Sequence, residues 1–140
     1  MLEVATLVLV TALSPGIRSA DSCLSYEPAA VRFTGVLVRR VLPGPPNYES
    51  IQQGDAPEPT FLVALTRPIC VSGDSTSEVN RETEVGLDTI QVGPNDSNWK
   101  PFRRLVGKRV EVSGTLFHAI TSHHRTRVVM TVRAIKRVDQ

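Results

Sequence analysis

Asn98-Trp99-Lys100-Pro101-Phe102-Arg103-Arg104-Leu105-Val106-Gly107, followed by the runs 109–118 and 127–135, decides the fold. Asn98 can cap a helix, Pro101 is tolerated in its first turn, and Gly107 stops it. Trp99, Phe102 and Leu105/Val106 recur at helical spacing, which predicts a short helix plugging one end of a sheet structure. The two following runs alternate instead. Val110, Val112, Leu116 and His118 fall on one face, with Glu111, Ser113, Thr115 and Phe117 on the other. Val128, Met130, Val132 and Ala134 give the last run its inward face.

Three strand candidates lie upstream. The first, 31–41, puts Val31, Phe33 and Leu37 on one face, and Gly35 interrupts that face as Gly114 interrupts the fourth run. Interior glycines suit strands that bend or bulge to close a barrel. Phe61-Leu62-Val63-Ala64-Leu65 is a second strand, stopped by Arg67-Pro68. Thr89-Ile90-Gln91-Val92 is a third, ended by Gly93-Pro94, and the segment before it, 72–84, reads as a polar loop. The predicted fold is all-β with one short helix, in the order β-β-β-α-β-β. That is the order of the five-stranded oligonucleotide/oligosaccharide-binding (OB) barrel.

The chain has 140 residues, one domain's worth, and is 41% hydrophobic but only 5% aromatic. The core is therefore expected to be mostly Val, Leu and Ile. Charge is uneven along the chain. Residues 99–140 hold ten Lys/Arg against two acids, and residues 43–98 hold two Arg against nine acids. The asymmetry is read as mutual neutralisation within one fold rather than as an anion-binding surface.

At the amino terminus, Val4-Ala5-Thr6-Leu7-Val8-Leu9-Val10-Thr11-Ala12-Leu13 has the length of a signal-peptide core and is too short to span a bilayer. Ser14-Pro15-Gly16 breaks it, and Ser19-Ala20 precede Asp21 as small residues at a cleavage point. Residues 1–20 are expected to be a signal peptide and 21–140 a single domain, secreted or periplasmic. No other run is apolar enough for a transmembrane segment. The two cysteines, Cys23 and Cys70, fit export as a disulfide. Such a bridge, closing 47 residues, contributes about 4 kcal/mol on the chain-entropy scale.

Two connections are chemically unusual. Between strand candidates one and two lies Pro43-Gly44-Pro45-Pro46-Asn47-Tyr48-Glu49-Ser50-Ile51, then Gln52-Gln53-Gly54-Asp55-Ala56-Pro57-Glu58-Pro59, proline-rich and stiff. Between four and five lies His118-Ala119-Ile120-Thr121-Ser122-His123-His124-Arg125-Thr126, with all three histidines of the chain. In an OB barrel these two connections flank the usual ligand face. The expected ligand-binding residues are therefore Asn47, Tyr48, Glu49, His118, Thr121, His123, His124 and Arg125.

The stretches Cys23-Leu24-Ser25-Tyr26-Glu27-Pro28, Gly44-Pro45-Pro46-Asn47-Tyr48-Glu49-Ser50-Ile51 and Gly114-Thr115-Leu116-Phe117-His118-Ala119, with Thr121, His123 and His124, resemble an uncharacterised bacterial family of small exported proteins, a domain of unknown function. Pro68-Ile69-Cys70-Val71 and Gly107-Lys108-Arg109-Val110 share the resemblance. It implies export and supplies no activity. It also implies relatives with further histidines near Ile120 and Arg125, making this chain a histidine-poor member.

Three function classes compete. The first is a binding module for a glycan, a cell-envelope component or a protein. A basic stripe of Arg39, Arg40, Arg103, Arg104, Lys108, Arg109, Arg125 and Arg127 suits a polyanion, but single-stranded nucleic acid usually adds stacking aromatics, and the second strand offers only Phe61. The second class is a Zn²⁺ or Cu²⁺ site built from His118 with His123 or His124 and a carboxylate from Glu49 or Asp55. Its spacing matches no standard zinc signature. The third is a hydrolase using His123 or His124 with Glu49 and Thr121 or Ser122. No nucleophile elbow or paired-carboxylate motif accompanies them, and no motif names a cofactor. The binding module is the expected function.

Overall fold

A computed structural model describes residues 22–94, 96 and 99–139. The expected signal peptide and the expected Asn98 cap lie outside these residues. The elements are β1 (Leu24–Ser25), β2 (Val31–Pro43), β3 (Pro57–Ser72), β4 (Glu84–Pro94), α1 (Lys100–Leu105), β5 (Arg109–His118) and β6 (Val128–Arg137).

The five long strands close on themselves. β2 pairs antiparallel with β3 and β5, β3 with β4, and β5 with β6, while β4 and β6 run parallel. With α1 between β4 and β5, this is the closed OB-like barrel expected from the element order, with one short strand added. β1 pairs parallel with the end of β3, Leu24 opposite Val71. The Cys23–Cys70 disulfide sits beside that pairing. The core holds Leu37, Val63, Val71, Ile90, Val110, Val112, Leu116, Val128 and Met130, with Phe33, Phe61, Phe102 and Tyr26 as its aromatic members.

Four sequence expectations need correction. First, β3 does not stop at Arg67-Pro68. The register of β3 against β4 shifts between Ala64 and Ile69, so the proline falls where the ladder is already interrupted. Second, β4 begins at Glu84, ahead of its apolar run, because its early residues pair with the continued β3.

Third, Ala134 is exposed and Ile135 packs on the core instead. Gly114 faces Val132 while Ser113 faces Ala134, so Arg133 is an extra residue that reverses the facing of everything after it. Fourth, the N-cap of α1 is Trp99, with no side-chain cap, and Phe102 alone is fully buried, with Leu105 packed partly buried against the core. Phe102 is 2% exposed, whereas Trp99 is 39% exposed and Val106 is also open. A six-residue helix makes under two turns, so it offers the core little more than one deep position.

The interior glycines do not end their strands. A Cβ at Gly35 would run into the Ala64 carbonyl oxygen, and one at Gly114 into that of Thr131. Both mark places where the neighbouring backbone crosses too closely for a side chain.

A candidate ligand cleft beside two tied loops

The connection from β2 to β3 is pre-shaped by its own backbone. Gly44 N donates to Ala56 O at 2.7 Å and Ala56 N to Pro45 O at 2.8 Å, closing the neck. Inside, the buried Asp55 carboxylate accepts from the backbone N–H groups of Asn47 at 2.9 Å, Glu49 at 2.7 Å and Ser50 at 2.9 Å. The hydrogen bonds from Ser50 and Glu49 hold its carboxyl below the ordinary carboxylate range, outweighing its desolvation. Asp55 is therefore an internal fastener of the loop, with its oxygens already engaged. Tyr48 takes a left-handed φ of 58°, uncommon for a residue other than glycine, and its N–H donates to Gly44 O at 2.9 Å.

The connection from β5 to β6 closes where Ala119 N donates to Arg127 O at 2.9 Å. At its tip, His124 Nδ1 accepts from the N–H groups of Ile120 at 2.9 Å and Thr121 at 3.2 Å. That nitrogen must keep its lone pair. Burial, and then the charge of His123, lower the His124 pKa from the ordinary imidazole value. Gln91 on β4 steadies the same tip. Its Nε2 donates to His123 O at 3.1 Å, its Oε1 accepts from Arg125 N, and its own N–H donates to Thr126 Oγ1 at 2.9 Å.

Glu58, at the start of β3, ties the two loops together. It accepts from His123 Nδ1 through one oxygen and from Arg125 Nη2 through the other. Arg125 Nη2 also donates to Pro43 O at 2.8 Å, and its guanidinium lies 5.3 Å from the Tyr48 ring centroid. The Tyr48 hydroxyl is 3.0 Å from His123 Nε2. A carboxylate only accepts, so a neutral His123 carries its proton on Nδ1 and accepts a hydrogen bond from the tyrosine hydroxyl at Nε2. Burial opposes ionisation of Glu58. The hydrogen bonds and charges of His123 and Arg125 prevail and hold its carboxyl below the usual range.

Tyr48, His123 and Arg125 are thus brought together, with the backbones of Asn47 and Glu49 supporting the Tyr48 loop, while His124 stays at the hairpin tip against Phe117. His118 is not among them. Its Nε2 meets Glu84 Oε1 at 3.0 Å, its Nδ1 donates to Ala119 O at 3.2 Å, and its backbone N–H donates to Asn80 Oδ1 at 2.8 Å. Both of its ring nitrogens face oxygens, leaving none aimed at His123 or His124. Among the described residues, no three His, Cys, Asp or Glu side chains converge as a metal set. The carboxylate beside His123 is Glu58, not the expected Glu49, whose side chain is exposed. Thr121 and Ser122 are exposed on the turn.

Beside the histidine hairpin lies an open cleft of about 310 Å³ on β3, β4 and β6, bordered by the 119–127 loop and not by residues 44–56. Thr60, Phe61, Gln91, Trp99, His123 and His124 are among its lining residues. It occupies the position where OB barrels take ligands. A second cleft of about 270 Å³ shares Pro59, Phe61 and Trp99 with it and adds Arg39 and Arg103. Helical spacing predicts a packing role for Trp99, and the sequence pattern predicts none for Glu58 or Gln91. Gln91 did carry a signal, as the polar residue between Ile90 and Val92.

No curated protein and no solved structure matches the chain. A family described as a domain of unknown function, DUF4431, matches residues 89–136, from within β4 through α1 and β5 into β6, and so includes the histidine hairpin but neither the Cys23–Pro28 stretch nor the proline-rich loop.

Proposed function

We propose that this protein is an exported binding module that takes a glycan of the cell envelope on the β3–β4 face beside the tied loops, bordered by His123 and His124. The observation that carries the reading is the Tyr48–His123–Glu58–Arg125 network. It fastens two otherwise independent loops to each other and so fixes the His123–His124 edge of a shallow cleft before a ligand arrives. Preorganisation of this kind lowers the ordering cost of binding. The Cys23–Cys70 disulfide supports an oxidising compartment, and the signal-like amino terminus points the same way.

Amide NMR of the oxidised protein, titrated with chitotetraose and with tetragalacturonate, tests the reading. Saturable perturbations centred on 59–61, 91–94, 99 and 119–127, reaching 39 and 103 with the acidic saccharide, are the expected result. Perturbations centred elsewhere, or none with either saccharide at millimolar concentration, would overturn it.

A further inference from the structure

The second cleft has a composition of its own. Trp99 lies nearly parallel to Phe61, with ring centroids 5.4 Å apart and planes inclined by 22°. Phe102 braces both rings from the core, at 5.8 Å from Trp99 and 5.4 Å from Phe61. The indole is therefore fixed by a buried aromatic base while over a third of it remains open to solvent. Gly93 lies below its rim, where an added Cβ would come to 4.0 Å of the indole.

Arg39 and Arg103 flank this surface, both exposed. Neither is in an ion pair with a carboxylate among the described residues, in contrast with Arg125, Arg127 and Arg137. Among the described residues, no acidic side chain lines the cleft. A rigid aromatic face with two unneutralised guanidinium groups beside it suits a ring that presents C–H bonds on one side and an anion at its edge. The electron-rich indole face attracts the polarised C–H groups, and guanidinium forks match carboxylate, sulfate or phosphate oxygens.

We infer that Trp99, Arg39 and Arg103 form a subsite for an acidic sugar residue, its pyranose ring on the indole and its anionic substituent held by the two arginines. The inference rests on the reading of the chain as a glycan-binding module and specifies which glycan. Nucleic acid is the weaker occupant, because one exposed aromatic gives a single stacking platform where single-strand binders stack successive bases. The disulfide also supports a compartment where acidic polysaccharides are the commoner polyanions.

Trp99 is the only tryptophan in the chain, so its fluorescence reports this subsite directly. The oxidised protein would be titrated with tetragalacturonate, a heparin-derived hexasaccharide, chitotetraose and an eight-residue thymidine oligonucleotide. A saturable change with the acidic saccharides is expected, weakened about tenfold or more in Arg39→Gln/Arg103→Gln. Both arginines are exposed, so that variant should keep the wild-type melting temperature. Calorimetry on Trp99→Ala should show a similar loss, with Trp99→Phe retaining most of the affinity.

Acidic-saccharide binding that ignores the arginine pair but is lost in His123→Ala would overturn the subsite and leave the loop-face reading standing. Tighter binding of the oligonucleotide than of either acidic saccharide would overturn the ligand class. Silence with all three saccharides, by fluorescence and by NMR alike, would overturn both the subsite and the glycan reading.

Discussion

The hairpin between β5 and β6 is held at two places by the same trio of side chains. At its neck, Glu84 takes His118 and Arg127, and at its tip Glu58 takes His123 and Arg125. The burial is reversed. At the neck the histidine is inside, its side chain 21% exposed, and the arginine is 58% exposed. At the tip the arginine is inside at 12% and the histidine is 55% exposed. A buried guanidinium stays charged and needs its carboxylate. The tip imidazole keeps more than half of its side chain in solvent, although Glu58 and Tyr48 hold both of its nitrogens. The neck therefore works as a structural clip, and the tip as an anchored edge of the cleft, although one chemistry builds both.

The comparison breaks most readily at Glu58. Glu58→Ala leaves Arg125 enclosed without its counter-charge, and we expect a loss of about 3 kcal/mol in urea unfolding. Faster deuterium uptake should appear in both 44–56 and 119–127, because the tie between them is gone. A loss near zero, or uptake confined to one loop, would show that Glu58 does not couple them. Its depressed pKa sets a pH signature. The stabilisation is complete above the ordinary carboxylate value of 4.5 and is lost as pH falls through the lower folded-state value. Glu58→Gln should flatten that part of the acid-unfolding curve.

Glu84→Ala is the matching probe of the neck. Arg127 gains water when released, so the expected cost is about 1 kcal/mol. Deuterium uptake in 44–56 should be unchanged, and equal effects of the two substitutions would erase the distinction drawn here.

His124 sharpens it further. Its folded-state pKa is lowered, so its stabilisation is present above the ordinary imidazole value of 6.5 and declines as pH falls below that value. His124→Asn, whose amide oxygen can accept the same two N–H groups, should remove this pH dependence while preserving the tip by NMR. A persistent dependence would place it on another group. Tyr48→Phe is the mildest test. It removes one exposed hydrogen bond to His123, and about 0.5 kcal/mol is expected, with no effect on the neck.

The sequence by itself determined the barrel. Period-two runs in β2, β5 and β6, the glycine-stopped helix and the proline-rich connection carry local physics, and each is legible without knowing its neighbours. The convergence of the two loops followed from that order alone. What only the tertiary structure decided were the details that depend on a partner. Arg133 becomes the bulge that turns Ile135 inward only because β5 offers a close crossing at Gly114. Three histidines within seven residues look like one cluster, yet His118 belongs to Glu84 and His123 to Glu58, 34 and 65 residues away in sequence.

Trp99 shows the same limit. Helical spacing places it on the face of Phe102, and only the packing of α1 across the barrel end sends one ring into the core and lays the other on Phe61. Side-chain periodicity encodes which residues share a face. Which carboxylate or ring meets that face is set by strand register and closure, which no local stretch of the chain contains.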